Sequence, residues 1–504
     1  MLLSGVFLCV GLMGCGMSGA LYSKNGADYY PPMSSAVDHT NQQPDAGENR
    51  TEKINPWEDT AKDNLSTFAI DVDTASYTYS RRNLRSGRLP PPDSVRVEEF
   101  VNFFDYKYEG PKTEAFKLYA DGAISPYNAE NYILRIALQG RRMTAAERRP
   151  LHLTFLIDTS GSMSGEDRIE LAKKSLYILL EQLKDADTVA IATYAGSTQK
   201  ILEPTSATKK DLIRNAIKNL KTGGGTAMGS GMELAYEMAS KSFVKGHENR
   251  VVVLSDGDAN IGRTSFQDIL DTIDKYVKQG ITMTTVGFGM GNYRDNRMEQ
   301  LSNKGNGNSY YIDSEDEAKR IFGDKFISTM VTIARDVKVQ VEFEPQYVSK
   351  YRLIGYENRD IADKDFRNDK VDAGELGAGH TVTALYEIQL HQQQVIPLLH
   401  SSSKTPLITV RLRYKTADAT VDDKATEIVA PVPCLDIHRP FAQAEWRMQW
   451  ATAVMSFAEI LRQSSHAQTW TLDQVLLIAK NAQQKDDSYH QELIELIGLA
   501  QRLK

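Results

Sequence analysis

Between about residues 149 and 335, short apolar runs alternate with longer stretches whose apolar residues recur every three or four positions. The runs cover residues 153–157, 189–193, 251–254, 281–286 and, last, 310–312. Between them, residues 169–183, 211–220, 231–242, 266–279 and 317–333 carry helical periodicity. Continuous apolar strands joined by amphipathic helices predict a mostly parallel sheet covered on both faces. Residues 149–335 therefore read as an α/β, Rossmann-like, doubly wound domain.

The flanks have a different texture. In 55–148 the pattern predicts a strand at 66–70, a helix over 74–84, a break at Leu89-Pro90-Pro91-Pro92-Asp93 and a helix with Val97, Phe100, Val101 and Phe104 on one face. Strands at 115–119 and 132–138 follow. In 336–436 strands at 337–343, 381–388 and 407–414 predict antiparallel, sandwich-like β structure. Residues 437–504 read as helical, with Trp446, Trp450, Val454, Phe457 and Leu461 as a core or domain-packing stripe.

The chain of 504 residues has room for roughly three domains of ~150 residues. Its formal net charge of −7, without blocks of like charge, gives no reason to expect nucleic-acid binding. Residues 2–13 are apolar and uncharged, too short to span a bilayer and suited to the core of a secretory signal. The basic start usual for such signals is missing. The segment ends in Leu12-Met13-Gly14-Cys15, which resembles the bacterial lipoprotein box. That resemblance implies a signal peptide over 1–15, lipidation at Cys15, and anchoring to the membrane of a bacterial cell envelope. Gly16 is not the Asp that retains lipoproteins in an inner membrane, so an outer membrane is favoured where there are two. The alternative is a cysteine that merely falls in an apolar N-terminus. Residues 16–54, rich in Gly, Ser, Asn, Asp and Pro, read as a flexible tether. With Cys9 in the signal, only Cys434 remains, so no disulfide framework is available and a small buried apolar role is expected for it.

The chemistry gathers where the strand at 153–157 runs into Asp158-Thr159-Ser160-Gly161-Ser162. Ligands of open α/β sheets bind at the carboxyl ends of strands. One carboxylate and two hydroxyls at alternate positions, with Gly161 allowing a tight turn, suit a hard oxygen-seeking cation. Gly223-Gly224-Gly225-Thr226 adds a hydroxyl, and Ser255-Asp256-Gly257 adds a second carboxylate after the strand at 251–254. Ser and Asp at such turns are also common helix caps.

Together these pieces resemble the metal-ion-dependent adhesion site of von Willebrand factor type A domains. The resemblance implies that Ser160, Ser162 and Thr226 touch the metal, directly or with one through water, and that Asp158 and Asp256 are the acidic members. Mg2+ is the default cation, with Mn2+ or Ca2+ as alternatives. Because hydroxyls dominate the inner shell, the cation stays short of negative charge and keeps a position for an Asp or Glu carboxylate of a protein partner. Further stretches, Ser66-Thr67-Phe68-Ala69-Ile70-Asp71-Val72-Asp73-Thr74-Ala75-Ser76-Tyr77, Leu89-Pro90-Pro91-Pro92-Asp93 and Arg352-Leu353-Ile354-Gly355-Tyr356-Glu357-Asn358, are similar to the flanks of bacterial von Willebrand factor type A lipoproteins. The β-rich region is then expected to pair with strands of 115–140, making the central domain an insertion into a sandwich.

The expected function is cation-dependent capture of a partner, without catalysis. A structural scaffold whose metal only stabilises loops is one alternative. A metal-assisted hydrolase is another, although no general base is evident. The site being polar and superficial, Asp158→Ala is expected to spare the fold. Asp71-Val72-Asp73 resembles the phosphatase nucleophile motif incompletely, and Asp73 or Thr74 is expected to cap the following helix. Asp256-Gly257-Asp258-Ala259-Asn260 fails as a calcium loop at Ile261 and Gln267, leaving Asp258 as an outer member of the metal site. The Gly287–Gly291 stretch lacks the last glycine of a dinucleotide fingerprint and reads as a rim loop, so no nucleotide is expected.

Overall fold

A computed structural model describes residues 54–257, 265–289, 295–371, 373–401, 404–419 and 423–504. Cys15, Asp258, residues 16–53 of the tether and the 290–294 portion of the rim loop lie outside the described residues. Ahead of the α/β domain come β1 (Glu58–Asp59), β2 (Leu65–Ala69), α1 (Ala75–Arg85), α2 (Val97–Phe103), β3 (Phe116–Ile124) and β4 (Asn131–Gly140). The domain begins with β5 (Leu151–Asp158), α3 (Leu171–Gln182), β6 (Thr188–Tyr194), β7 (Thr198–Ser206), α4 (Lys210–Lys218) and α5 (Met228–Lys241). It continues with β8 (Glu248–Ser255), α6 (Phe266–Val277), β9 (Ile281–Gly287), α7 (Asp295–Lys304), β10 (Ser309–Tyr311), α8 (Glu315–Lys319) and α9 (Phe326–Met330). Then follow β11 (Thr332–Phe343), β12 (Val348–Ile354), β13 (Gly374–Gly377), β14 (Thr381–Leu390), α10 (Gln392–Ser401), β15 (Pro406–Thr416) and β16 (Thr426–Pro433). Three helices close the chain: α11 (Trp446–Leu461), α12 (Leu472–Ala482) and α13 (Ser488–Leu503).

The α/β domain has the strand order β10-β9-β8-β5-β6-β7, parallel except for β7. Side chains alternate across its strands, which is why the runs are apolar throughout. Leu153, Phe155 and Ile157 pack with Leu176 and Leu180 of α3 and Phe326 of α9. Leu156, Val251 and Val253 face Met232 and Tyr236 of α5 and Ile269 and Ile273 of α6.

The chain leaves a β-sandwich after β4 and returns to it at β11. One antiparallel sheet runs β1-β12-β14-β4-β3, and the other runs β13-β11-β15-β16 with β2 also on β11. Leu134, Ile136, Tyr386 and Ile388 pack against Val339, Val341, Val410 and Leu412 between the sheets. From the opposite face of the first sheet, Ile133, Ala137 and Leu385 meet Phe100 and Phe103 together with Trp450 and Phe457. Helix α11 is therefore buried nearly all round between a sheet and its neighbouring helices. Cys434 is a buried free thiol in the sandwich core. Among the described residues no helix is long and apolar enough to cross a membrane.

Four expectations change. The helix expected over 317–333 is broken: α8 gives way to a wide turn over Arg320–Asp324, α9 follows, and β11 already begins at Thr332. The run Val331-Thr332-Ile333 is β-branched and finds β13 as a partner, which favours strand. Strands β1, β7, β12, β13 and β16 and helices α7 and α10 were not expected; β7 is a mostly polar edge strand in which only Leu202 is buried. Phe104 lies just past the end of α2, although its ring is buried with those of the helix. Neither Asp73 nor Thr74 caps α1 through its side chain. Asp73 Oδ1 instead accepts the Ser309 N–H at 2.7 Å, and Thr74 Oγ1 accepts from Arg320 Nη2 at 3.4 Å.

Candidate metal centre

Strand β5 lies between β6 and β8, so the connections from neighbouring strands diverge at its carboxyl end. A crevice forms at such a switch point. Asp158, the last residue of β5, sits there with no exposed surface. Its Oδ1 accepts the Ser160 N–H at 2.9 Å and its Oδ2 accepts the Ser255 hydroxyl at 3.1 Å. The Ser160 and Ser162 hydroxyls stand 2.9 Å apart. Ser160 is buried and Ser162 half-buried.

The glycine turn is tied to this loop by two backbone bonds. Gly223 N–H donates to Thr159 O at 2.8 Å, and Gly161 N–H donates to Gly224 O at 3.2 Å. Gly224 has φ +85°, and a Cβ there would meet Gly196 N at 3.3 Å, so a side chain is disfavoured on both counts. Thr226 follows this pinned turn and is half-buried. Asp256 comes directly after β8 and is almost fully buried.

Burial pushes the Asp158 carboxyl above the usual carboxylate range; hydrogen bonds from Ser160 pull it back, and nearby Asp256 pushes it up again. The structure thus joins Asp158, Ser160 and Ser162 by hydrogen bonds, places Asp256 within electrostatic reach, and pins the turn that carries Thr226. Two carboxylates and a set of hydroxyls, all oxygen donors, fit a hard divalent cation.

The expectation that Asp158→Ala spares the fold needs correction. Asp158 is fully buried and accepts two hydrogen bonds, so alanine strands the Ser160 N–H and the Ser255 hydroxyl. An isosteric Asn keeps more of these bonds and is the better probe.

Sequence reasoning missed several neighbours. Ser255 was visible only as the residue before Asp256, yet it also accepts the Gly257 N–H at 3.1 Å. Tyr194 O accepts both the Thr159 N–H, at 2.9 Å, and the Thr159 hydroxyl, at 3.2 Å. Burial, then the Asp158 charge, hold the Tyr194 hydroxyl well above its ordinary value. Arg168 Nη1 donates to the Ser162 carbonyl. An arginine six residues past the loop carried no motif signal.

A second acidic group, Asp71, Asp73 and Glu299, has carboxylate oxygens within 4.8 Å of one another. The Arg359 guanidinium pairs with all three, at 2.9 Å, 3.4 Å and 3.7 Å, and Arg96 pairs with Glu299 at 2.6 Å. The cation of this group is Arg359 itself. It clamps the segment before α1 to α7 and to the loop after β12.

Three family profiles match the chain. Residues 152–324 match "von Willebrand factor type A domain", 44–135 match "von Willebrand factor", and 328–503 match "Uncharacterized protein YfbK, C-terminal". The chain is 35% identical over 465 residues to YfbK of Escherichia coli K12, covering 88% of this chain and 80% of that protein. It is 24% identical over 344 residues to sll0103 of Synechocystis sp. PCC 6803, covering 67% of this chain and 76% of that protein. Among solved structures, a von Willebrand factor type A protein from Catenulispora acidiphila aligns at TM-score 0.47 and 12% identity, over 78% of this chain and 91% of that one.

Proposed function

Because the chain belongs to the YfbK family and carries a von Willebrand factor type A domain, we propose that it captures an acidic partner protein through a divalent cation. The observation that carries this reading is the pair of hydroxyls, Ser160 and Ser162, 2.9 Å apart beside the buried Asp158 at the sheet's switch point. Ser160, Ser162 and Thr226 would hold the cation, with Asp158 and Asp256 supplying charge behind them. Bound there, Mg2+ offers an electrophilic position that a partner's Asp or Glu carboxylate fills.

The chain's own groups favour binding over turnover. Asp158 is engaged by Ser160 and Ser255, and Tyr194 is held protonated, so neither is poised to take a proton from water. The reading is of a binding protein and not an enzyme. Its place is the bacterial envelope, held by lipid on Cys15, a reading supported by the Leu12-Met13-Gly14-Cys15 box.

The test is capture of partners from a solubilised envelope fraction by the parent protein and by Asp158→Asn, in Mg2+ and in chelator. Partners retained only by the parent in Mg2+ support the proposal. Equal capture in every arm overturns it in favour of a constitutive scaffold. For the anchor, Cys15→Ser should release the protein from the membrane fraction, and an unchanged distribution would contradict lipidation.

A further inference from the structure

We propose that Arg82, on the flanking helix α1, is a positioning residue for the metal loop, acting through Asp167, Arg168 and Tyr311. The inference rests on the cation-binding reading and adds a role for a residue outside the α/β domain. Arg82 Nη2 donates to Asp167 Oδ2 at 2.5 Å, and Arg82 Nη1 donates to the Tyr311 hydroxyl at 3.3 Å. The Tyr311 hydroxyl donates to the Gly289 carbonyl. Arg168, next to Asp167, donates to the carbonyl of Ser162.

The circle closes at Gly289. It has φ +77°, and a Cβ there would lie 2.5 Å from Arg168 Nε and 2.8 Å from its Cγ, so the Gly289 backbone rests flat against the Arg168 side chain. A ring of contacts therefore runs Arg168, Asp167, Arg82, Tyr311, Gly289 and back to Arg168, and Ser162 is held to it through Arg168. It joins the first metal loop to the loop after β9, and its only member from outside the α/β domain is Arg82. Tyr79 of α1 adds an edge contact to the Tyr311 ring, with centroids 5.6 Å apart.

Magnitudes separate positioning from plain stabilisation. In this pair Arg82 is 17% and Asp167 44% exposed, and a pair that open to water adds little to folding. Loss of Arg82 should therefore leave the fold standing while freeing the Ser162 carbonyl and Gly289 to drift.

The experiment is calorimetric titration of Mg2+ into the chelator-stripped protein, with melting temperatures taken in chelator. The proteins compared are the parent, Arg82→Gln, Asp167→Asn, Arg168→Gln and the double variant Arg82→Gln/Arg168→Gln. Arg82→Gln and Asp167→Asn should each weaken Mg2+ about fivefold or more, with melting shifted by no more than about 4 °C. The double variant should bind no worse than Arg168→Gln, since both members act through one ring. Parent-like affinity in Arg82→Gln, or losses that add in the double variant, would overturn the inference. If Arg82→Gln melts far below the parent, Asp167→Asn, which opens the same link from the other side, decides the matter by the same criterion. A parent that binds no Mg2+ sinks the cation-binding reading instead, so the two failures are distinct.

Discussion

The Ser255 hydroxyl donates to Asp158 Oδ2 at 3.1 Å, so the residue that ends β8 holds the carboxylate that ends β5. Ser255 Oγ also accepts the Gly257 N–H, which fixes the turn carrying Asp256. One hydroxyl thus ties Asp158 to the turn that carries Asp256, the two acidic members of the candidate metal centre.

Ser255→Ala should cost about 1–3 kcal/mol, because it leaves two buried groups without a partner. Thermal melting in chelator reads this cost. Mg2+ affinity should fall as well, since Asp158 and the turn after β8 lose their shared anchor. By the same reasoning Asp158→Ala should melt below Asp158→Asn. Equal melting of the two would show that the hydrogen bonds at Asp158 contribute little.

The residues of the candidate metal centre were legible because they sit at the ends of strongly apolar strands. Asp158 and Asp256 follow the runs 153–157 and 251–254, and Gly224 marks a turn that needs a positive φ. The α/β fold was legible for the same reason, since strands buried on both faces cannot hide among polar residues. Strand β7 escaped because its side chains are mostly polar or half-buried, which leaves no period to read. The ring around Arg168 and the clamp at Arg359 escaped because their partners are far apart in sequence. Arg359 reaches Asp71 across 288 positions, and no local pattern encodes such a pair.

Glu98 makes a prediction about pH. It is buried on α2, and no described residue donates to its Oε2. Burial, then the charges of Glu357 and Asp71, push its carboxyl up to about 8. A raised carboxyl means the folded protein keeps a proton that the unfolded chain releases near pH 4.5. Its contribution is complete below that pH, declines as pH rises toward 8, and is gone above it. The parent should lose about 1.36 kcal/mol per pH unit across this window relative to Glu98→Gln. Denaturant melts of both proteins between pH 5 and 8 check it, and parallel profiles would contradict the assignment.

Arg81 locks three parts of the molecule together. It is 3% exposed and pairs with Asp313 at 2.5 Å, Glu317 at 3.0 Å and Glu492 of α13 at 3.1 Å. Arg81→Ala takes the arginine from buried Asp313, while Glu317 keeps Arg320 and Glu492 keeps Arg85, and should destabilise by about 3 kcal/mol. Hydrogen exchange should then rise in α13 and around Asp313, and unchanged protection there would count against the lock.

The most direct test of the central claim is Mg2+ titration by calorimetry of the chelator-stripped parent, Asp158→Asn and Asp256→Asn. The structure predicts one saturable site in the parent and none in either variant, with cooperative melting in all three. Identical heats in the parent and both variants would contradict a cation held by Asp158, Ser160, Ser162, Thr226 and Asp256.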